Sequence, residues 1–360
     1  MLQTPLFLRE HGLLALQEKF SIIANRHETF PQLLSLKYNQ LLSPMHERIA
    51  QECRGLIVDE SRDWAVVCHP FEKFFNAGEP LAAPIDWPSA RVFEKLDGSL
   101  MSLYFYDGAW QVASSGRADA GGPLGTRAKT TMAQGFWEIF AAQGLKIPSD
   151  EFAGWWFGWE MTTPWNQVVV RHDAPQITLI GARDAAGRER FPDEIAPIFG
   201  WPCVRSRELR DLDSVLNAAE EIEAFTGEGF VVCDADFSRV KIKSSRYVAL
   251  HLMRDSFSMR RLVDIVRTGE DAEFLAYFPE YAAREAKISA LYEELVAQIE
   301  ADFARLNPIE SPHEFAREAQ KTRFPPAVFA LRNKKVSSAR EFLTQVAISR
   351  ELFGMRKREL

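Results

Sequence analysis

The stretch Phe93-Glu94-Lys95-Leu96-Asp97-Gly98-Ser99-Leu100 decides how the rest of the chain is read. Residues 91–94 before it and 100–106 after it have the composition of two strands, with Asp97-Gly98 predicted as a hairpin turn between them. Such a hairpin holds Lys95 on rigid backbone at a strand end, where its amine can be aimed at a phosphorus atom. The tetrapeptide Lys-x-Asp-Gly is equally compatible with an ordinary hairpin carrying a solvated lysine. The neighbouring segments separate the two readings.

Toward the N-terminus, Phe71-Glu72-Lys73-Phe74-Phe75-Asn76 puts Lys73 among aromatics, where it also has the option of lying over apolar surface. Glu52-Cys53-Arg54-Gly55-Leu56-Ile57-Val58-Asp59 reads as a strand entered through Arg-Gly, with residues 64–68 returning as its partner. Ser35-Leu36-Lys37-Tyr38-Asn39-Gln40 reads as polar and irregular, and residues 7–24 as a helix.

Toward the C-terminus, residues 110–117 form a strand ending at Gly116-Arg117, and residues 126–142 read as a helix. Gly154-Trp155-Trp156-Phe157-Gly158-Trp159-Glu160-Met161 is an aromatic strand delivering one carboxylate, which needs a partner if buried. Val168-Val169-Val170 and residues 177–181 read as further strands, and residues 206–219 as a helix-like insert. Glu228-Gly229-Phe230-Val231-Val232 is a strand opening with a carboxylate. In Val240-Lys241-Ile242-Lys243 the alternation puts both lysines on one face. Side by side they repel unless an anion lies between or above them, or unless the strand is a solvated edge.

From about Tyr247 helices take over. Residues 282–306 carry Ile288, Leu291, Leu295, Ile299, Phe303 and Leu306 on one stripe. Ser311-Pro312-His313-Glu314 and Ser338-Ala339-Arg340-Glu341 have the form of capping boxes. The class is therefore α+β: antiparallel sheets flanked by helices over residues 1–250, followed by an all-α domain over 251–360.

The 360 residues are 46% hydrophobic and 26% charged, as in a soluble globular protein, and no apolar run is long enough for a bilayer. Met1-Leu2-Gln3-Thr4-Pro5 lacks the pattern of a signal peptide, and Cys53, Cys68, Cys203 and Cys233 form no CxxC pair. Reduced thiols in a cytoplasmic protein are expected, with no membrane partner and no structural zinc. The net charge of −7 excludes a uniformly basic surface but not a local phosphate-binding patch. Residues 321–360 carry +7, so the first 320 carry −14. Arg332, Lys334 and Lys335, just before Ser338, are candidate contacts to the phosphates of a nucleic acid.

Lys95, Glu160, Glu228, Lys241 and Lys243 stand in an order that resembles the covalent nucleotidyltransferase superfamily of ATP-dependent ligases and capping enzymes. More closely, the chain resembles the RNA ligases of the bacteriophage T4 RNA ligase 1 family. The likeness spans roughly residues 50–252. It is carried by the Arg54, Lys73, Lys95, Glu228 and Lys241-Ile242-Lys243 segments together with Tyr247-Val248-Ala249-Leu250-His251.

The resemblance implies an ATP-grasp-like nucleotidyltransferase (adenylation) domain over 1–250 and an ATP-dependent RNA ligase that joins 5′-phosphate to 3′-hydroxyl ends through lysyl-AMP on Lys95 and an RNA-adenylate. ATP and Mg2+ or Mn2+ are the implied cofactors. RNA, such as a cleaved tRNA or nicked stem-loop, is the implied partner, and an end-healing kinase or phosphatase would prepare its ends. In this likeness Arg54 and Lys73 contact nucleotide or phosphate, Glu160 binds the ribose and Glu228 helps hold the metal. Lys241 and Lys243 hold the α-phosphate, Tyr247 lies against adenine, and Arg117 is a weaker phosphate contact. A lysine of ordinary pKa is almost wholly protonated at neutral pH, and neighbouring cations favour the attacking amine.

The chain departs from the pattern in Asn166-Gln167, where the family has Asn-Arg, and in Ile177-Thr178-Leu179-Ile180, which offers no aromatic to sandwich the base. Two alternatives share the residues: sealing that requires a 2′-phosphate, as in fungal tRNA ligase, and a non-catalytic RNA-binding protein on a ligase fold.

Overall fold

A computed structural model describes residues 2–252, 259–346 and 348. The chain divides into two compact units, Met1–His251 and Leu252–Leu360.

The first unit is built on sheets. One five-stranded sheet has the order Ser206–Arg207, Arg91–Lys95, Gly229–Cys233, Arg239–Lys243, Phe75–Asn76, antiparallel except for its last pair. The second has the order Glu189–Arg190, Gln176–Arg183, Trp156–Thr162, Ser99–Tyr106, Ala109–Ser114. Strands Ile22–Arg26, Leu33–Tyr38, Arg54–Asp59 and Ala65–Cys68 form a third sheet.

Period-two alternation gives each five-stranded sheet a packed face and a working face. In the first sheet Val92, Phe230, Val232, Val240 and Ile242 bury against Val215 and Ala219 of helix Leu212–Glu220. Lys95, Val231, Lys241 and Lys243 are left on the opposite side. In the second sheet Phe157, Trp159 and Met161 pack with Phe136 and Phe140 of helix Met132–Ala142 and with Trp201. Each such large apolar side chain stabilises the fold by roughly 1.5–3 kcal/mol. Glu160 therefore points away from the aromatic core.

The Lys-x-Asp-Gly segment is not a hairpin. Arg91–Lys95 and Ser99–Tyr106 lie in different sheets, so the chain changes sheets at residues 96–98. A two-residue type I′ hairpin requires positive φ at both central residues, and neither Asp97 nor Gly98 has it. Each strand instead finds longer partners: Ser99–Tyr106 pairs with Trp156–Thr162 and Ala109–Ser114. Gly98 is fixed by close approach, since an added Cβ would collide with the Met161 carbonyl.

Several local expectations change. Ser35–Tyr38 lies in the buried strand Leu33–Tyr38, because pairing with Arg54–Asp59 outweighs its polar composition. The N-terminal helix is Gln3–Phe20; Ser21 adopts left-handed backbone (φ 53°) and the chain continues as strand Ile22–Arg26. Residues 126–142 divide into strand Arg127–Thr131 and helix Met132–Ala142, started by a capping box from Thr131 and Gln134. Residues 206–219 likewise begin as strand Ser206–Arg207 before helix Leu212–Glu220. Val168-Val169-Val170 is no strand, because its amides are taken by a side chain described below.

The second unit is helical. Helix Ala282–Leu306 buries Ile288, Leu295, Ile299 and Leu306, with Tyr292 and Val296 beside them, while Leu291 and Phe303 sit half-buried at the edge of the stripe. Ser311 and Ser338 each cap the amide three residues on. The reciprocal bond of the second box is displaced by one residue: Glu341 accepts from the Ser337 amide and hydroxyl. Of the basic tail, Arg350, Arg356, Lys357 and Arg358 lie outside the described residues.

Candidate active site

Lys95 ends its strand directly opposite Gly229, and Gly229 on its other edge faces Lys243. Three adjacent strands thus set two lysines on either side of a glycine. That glycine has φ +149°, and a Cβ there would strike the Ile242 carbonyl. Glu228, only 3% exposed, lies between the lysines. Its Oε2 accepts from Lys95 Nζ at 2.6 Å, and its Oε1 stands 3.5 Å from Lys243 Nζ. The carboxylate thus lies between Lys95 and Lys243, not between Lys241 and Lys243, where the sequence suggested an anion. A buried carboxylate held by two ammonium groups is stable only as a set, and removing one member leaves an uncompensated charge.

Glu160 projects from the facing sheet, its strand neighbours being Leu100 and Thr178. Burial pushes its carboxyl up to about 7; the Lys95 and Arg54 charges oppose the rise, and Glu228 and Asp97 add to it. Near neutral pH the group both accepts and donates, which suits contact with a hydroxyl. Arg54 lies 5.3 Å from the Phe74 ring, and its buried Nη1 has no hydrogen-bond partner among the described residues. A buried cationic N–H is expensive to leave unpaired, so this atom fits an incoming anion.

Two clefts meet here. One, of about 180 Å³, is walled by Phe71, Phe74, Phe93, Ile180 and Phe191 and carries Lys241, Lys243 and Glu228. The other, of about 830 Å³, is polar and open. They share Arg54, Lys95, Leu100 and Glu160. The aromatic surface that residues 177–180 do not offer comes from segments distant in sequence. Their phenylalanines were visible in the sequence, but their convergence was not.

Asp97 holds the turn behind Lys95. Its Oδ2 accepts from the Val169 and Val170 amides at 2.8 and 2.7 Å, and its Oδ1 accepts from the Tyr247 hydroxyl at 2.8 Å. Sequence reasoning read Asp97 only as a turn residue. Tyr247 is 4% exposed, so the structure places it as a brace of this turn rather than on an open wall. Asn166 donates to the Ser99 hydroxyl at 2.6 Å, beside the same turn.

The remaining candidates stand apart. Lys73 Nζ lies 5.4 Å from both the Tyr38 and Phe75 ring centroids, the arrangement of a lysine over aromatic surface. Arg117 is exposed and pairs with Asp119. Burial works against ionisation of Asp119, but Arg117 and the Gly121 and Glu28 amides outweigh it and hold the carboxyl down at about 2. In the helical unit, Arg332 donates to the carbonyls of Asn307 and Ile309, tying down the end of helix Ala282–Leu306. Lys334 and Lys335 are exposed. Glu341 already places an anion at the start of helix Ala339–Gln345.

Among the described residues no three His, Cys, Asp or Glu side chains are grouped to hold a metal ion. Magnesium keeps several waters and takes one or two carboxylates plus substrate phosphates, so a single carboxylate, Glu228, beside two lysines fits that habit. No helix among the described residues is long and apolar enough to cross a membrane.

Residues 52–247 match the family described as RNA ligase, of the T4 RNA ligase 1 type. An RNA ligase of Rhodothermus phage RM378 is 25% identical over 338 residues, covering 74% of this chain and 76% of that protein. A protein of Autographa californica nuclear polyhedrosis virus, named as a bifunctional polynucleotide kinase/RNA ligase, is 27% identical over 297 residues. That match covers 78% of this chain but only 42% of the viral protein. Among solved structures, an archaeal ATP-dependent RNA ligase has the same fold, with a TM-score of 0.50 at 14% identity over 84% of this chain and 83% of its own.

Proposed function

The chain belongs to the T4 RNA ligase 1-type family of RNA ligases, and from that premise we propose that Lys95 is its nucleophile, taking AMP from ATP. The observation that carries the reading is the convergence of Lys95, Glu228, Lys243, Glu160 and the unpaired Arg54 Nη1 on one cleft, with Lys95, Glu160 and Arg54 also lining the second. The Lys95 amine attacks the α-phosphorus of ATP, the bond to pyrophosphate breaks, and a phosphoramidate remains on Nζ. An RNA 5′-phosphate then takes the AMP, and a 3′-hydroxyl displaces AMP to close the strand.

Each side chain has a task in that scheme. Lys241, Lys243 and Arg54 oppose the phosphate charge, which is largest as attack proceeds. The apolar cleft receives adenine and excludes water from the reacting end. Glu160, at the mouth, meets the ribose hydroxyls. Glu228 orients the Lys95 amine and would hold Mg2+ or Mn2+ through water; when bound, the ion neutralises phosphate charge. Lys73 and Arg117 remain second-line phosphate contacts, each needing to leave its present partner first.

The RNA is proposed to carry 5′-phosphate and 3′-hydroxyl ends, in a repair setting such as a cleaved tRNA. The coupling of kinase and ligase in the viral relative's name supports an end-healing partner. The complete Lys95–Glu228–Lys243 set argues against a retired, non-catalytic scaffold.

The test is incubation with ATP labelled at the α-phosphate. The wild-type chain should take up acid-labile, alkali-stable label, and Lys95→Ala none. Label on Lys95→Ala would assign the nucleophile elsewhere.

A further inference from the structure

The two clefts meet at Lys95 but differ in chemistry. We propose that the larger one, bounded by Lys37, Asn39, Gln40, Ser114, Ser115 and Asn166, seats the 5′-phosphate and first nucleotide of the RNA strand that accepts AMP. This assignment rests on the reading of Lys95 given above.

In the transfer step an oxygen of the RNA 5′-phosphate bonds to the AMP phosphorus as the P–N bond to Lys95 breaks. The electron pair of that bond returns to Nζ, which takes up a proton and leaves as the free side chain. The RNA phosphate must therefore reach the phosphorus by a route that adenosine does not fill. The aromatic cleft suits adenosine, and the polar cleft is a second opening onto the same Lys95, Arg54 and Glu160.

Its lining matches a single nucleic-acid strand. Arg54 and Lys37 supply charge, Ser114 and Ser115 hydroxyls, Asn39, Gln40 and Asn166 amides, and Tyr38 a ring. Lys37 is the next-to-last residue of strand Leu33–Tyr38, follows four buried residues, is exposed, and has no ion-pair partner among the described residues. Its stem runs over Gly116, where an added Cβ would lie 3.6 Å from Lys37 Cδ and 3.8 Å from Nζ. Those are ordinary van der Waals distances, so the stem lies in contact with the cleft wall at Gly116. The buried, unpaired Arg54 Nη1 lies in the shared wall and independently points to an anion there.

The experiment separates the two half-reactions. Enzyme carrying labelled AMP is mixed with a 5′-phosphorylated RNA oligonucleotide below saturation, and AMP transfer is followed in a single turnover. Lysyl-AMP formation is measured separately at saturating ATP. Lys37→Ala should slow transfer about tenfold more than it slows lysyl-AMP formation, the loss expected for one charge-assisted contact. It should also flatten the salt dependence of RNA binding by about 0.7 in log–log slope. Lys37→Arg should recover most of the transfer rate, and an oligonucleotide with a 5′-hydroxyl should compete poorly with the phosphorylated one.

Transfer by Lys37→Ala at the wild-type rate overturns the assignment. Equal loss in both half-reactions also overturns it, by giving the cleft to the ATP phosphates or to the fold. Failure of the wild-type chain to become labelled would instead strike the reading of Lys95, which this comparison leaves distinguishable.

Discussion

The two units use their positive charges in opposite ways. In Met1–His251, Lys95, Lys241, Lys243 and Arg54 come from three strands and converge on one wall, where a carboxylate is shared and a guanidinium nitrogen is left unpaired. In Leu252–Leu360 the described cations mostly bind the unit to itself. Arg332 holds the end of a helix, Arg340 pairs with Glu293, and Lys321 pairs with Glu318. Yet the unit that holds this wall lies in the acidic portion of the chain and the helical tail is the basic one. Net charge reports only the balance of cations and anions in a region; burial and pairing decide which cations are available to a phosphate.

The strongest way to break this contrast is at Asp97. Asp97→Ala leaves the Val169 and Val170 amides and the Tyr247 hydroxyl without their acceptor. At roughly 1–3 kcal/mol for each buried group left unsatisfied, a loss of about 3 kcal/mol or more is expected. Denaturant melts should show the destabilisation. Lysyl-AMP formation should fall at least tenfold at a temperature where the variant is folded, because the turn aims Lys95. Unchanged labelling would mean that the turn needs no brace.

A smaller effect tests the helical side. Arg332→Ala should destabilise the protein by about 1–3 kcal/mol through lost bonds to helix-end carbonyls, while lysyl-AMP formation continues. The double variant Lys334→Ala/Lys335→Ala should change stability by no more than about 0.5 kcal/mol, as expected for exposed positions. Any function of that pair must then appear as a flatter salt dependence of RNA binding. An unchanged slope would leave the tail charges without a role in RNA contact.

A further effect depends on pH. Glu160 has a folded pKa of about 7 against an ordinary carboxylate value near 4.5. The native state therefore binds more protons than the unfolded state between those values, and the group lowers stability as pH rises through that window. Glu160→Gln removes the penalty. Its melting midpoint should exceed that of the wild type at pH 8, by about 2–4 °C for each kcal/mol relieved, and the advantage should vanish below pH 4.5. A gap constant with pH would show that Glu160 does not titrate there.

The sequence by itself determined which charged residues stand in apolar strands and which face of each strand they take. Lys95, Glu160, Glu228, Lys241 and Lys243 could be singled out because isolated charges in strongly apolar, period-two segments must point away from the core. The helical C-terminal region was legible for a similar reason, since its stripe and caps depend only on nearby residues. What required the tertiary structure was every pairing between segments distant in sequence. The sequence suggested a hairpin at Asp97-Gly98, but backbone angles and longer strand partners split it between two sheets. Val168-Val169-Val170 has strand composition, yet its amides serve Asp97, some 70 residues away. Lys37 sat unnoticed in a polar stretch, and Arg332 looked like an RNA contact until helix-end carbonyls took it. Composition and periodicity fix which side of an element is polar; which partner meets that polarity is decided only when non-local contacts close.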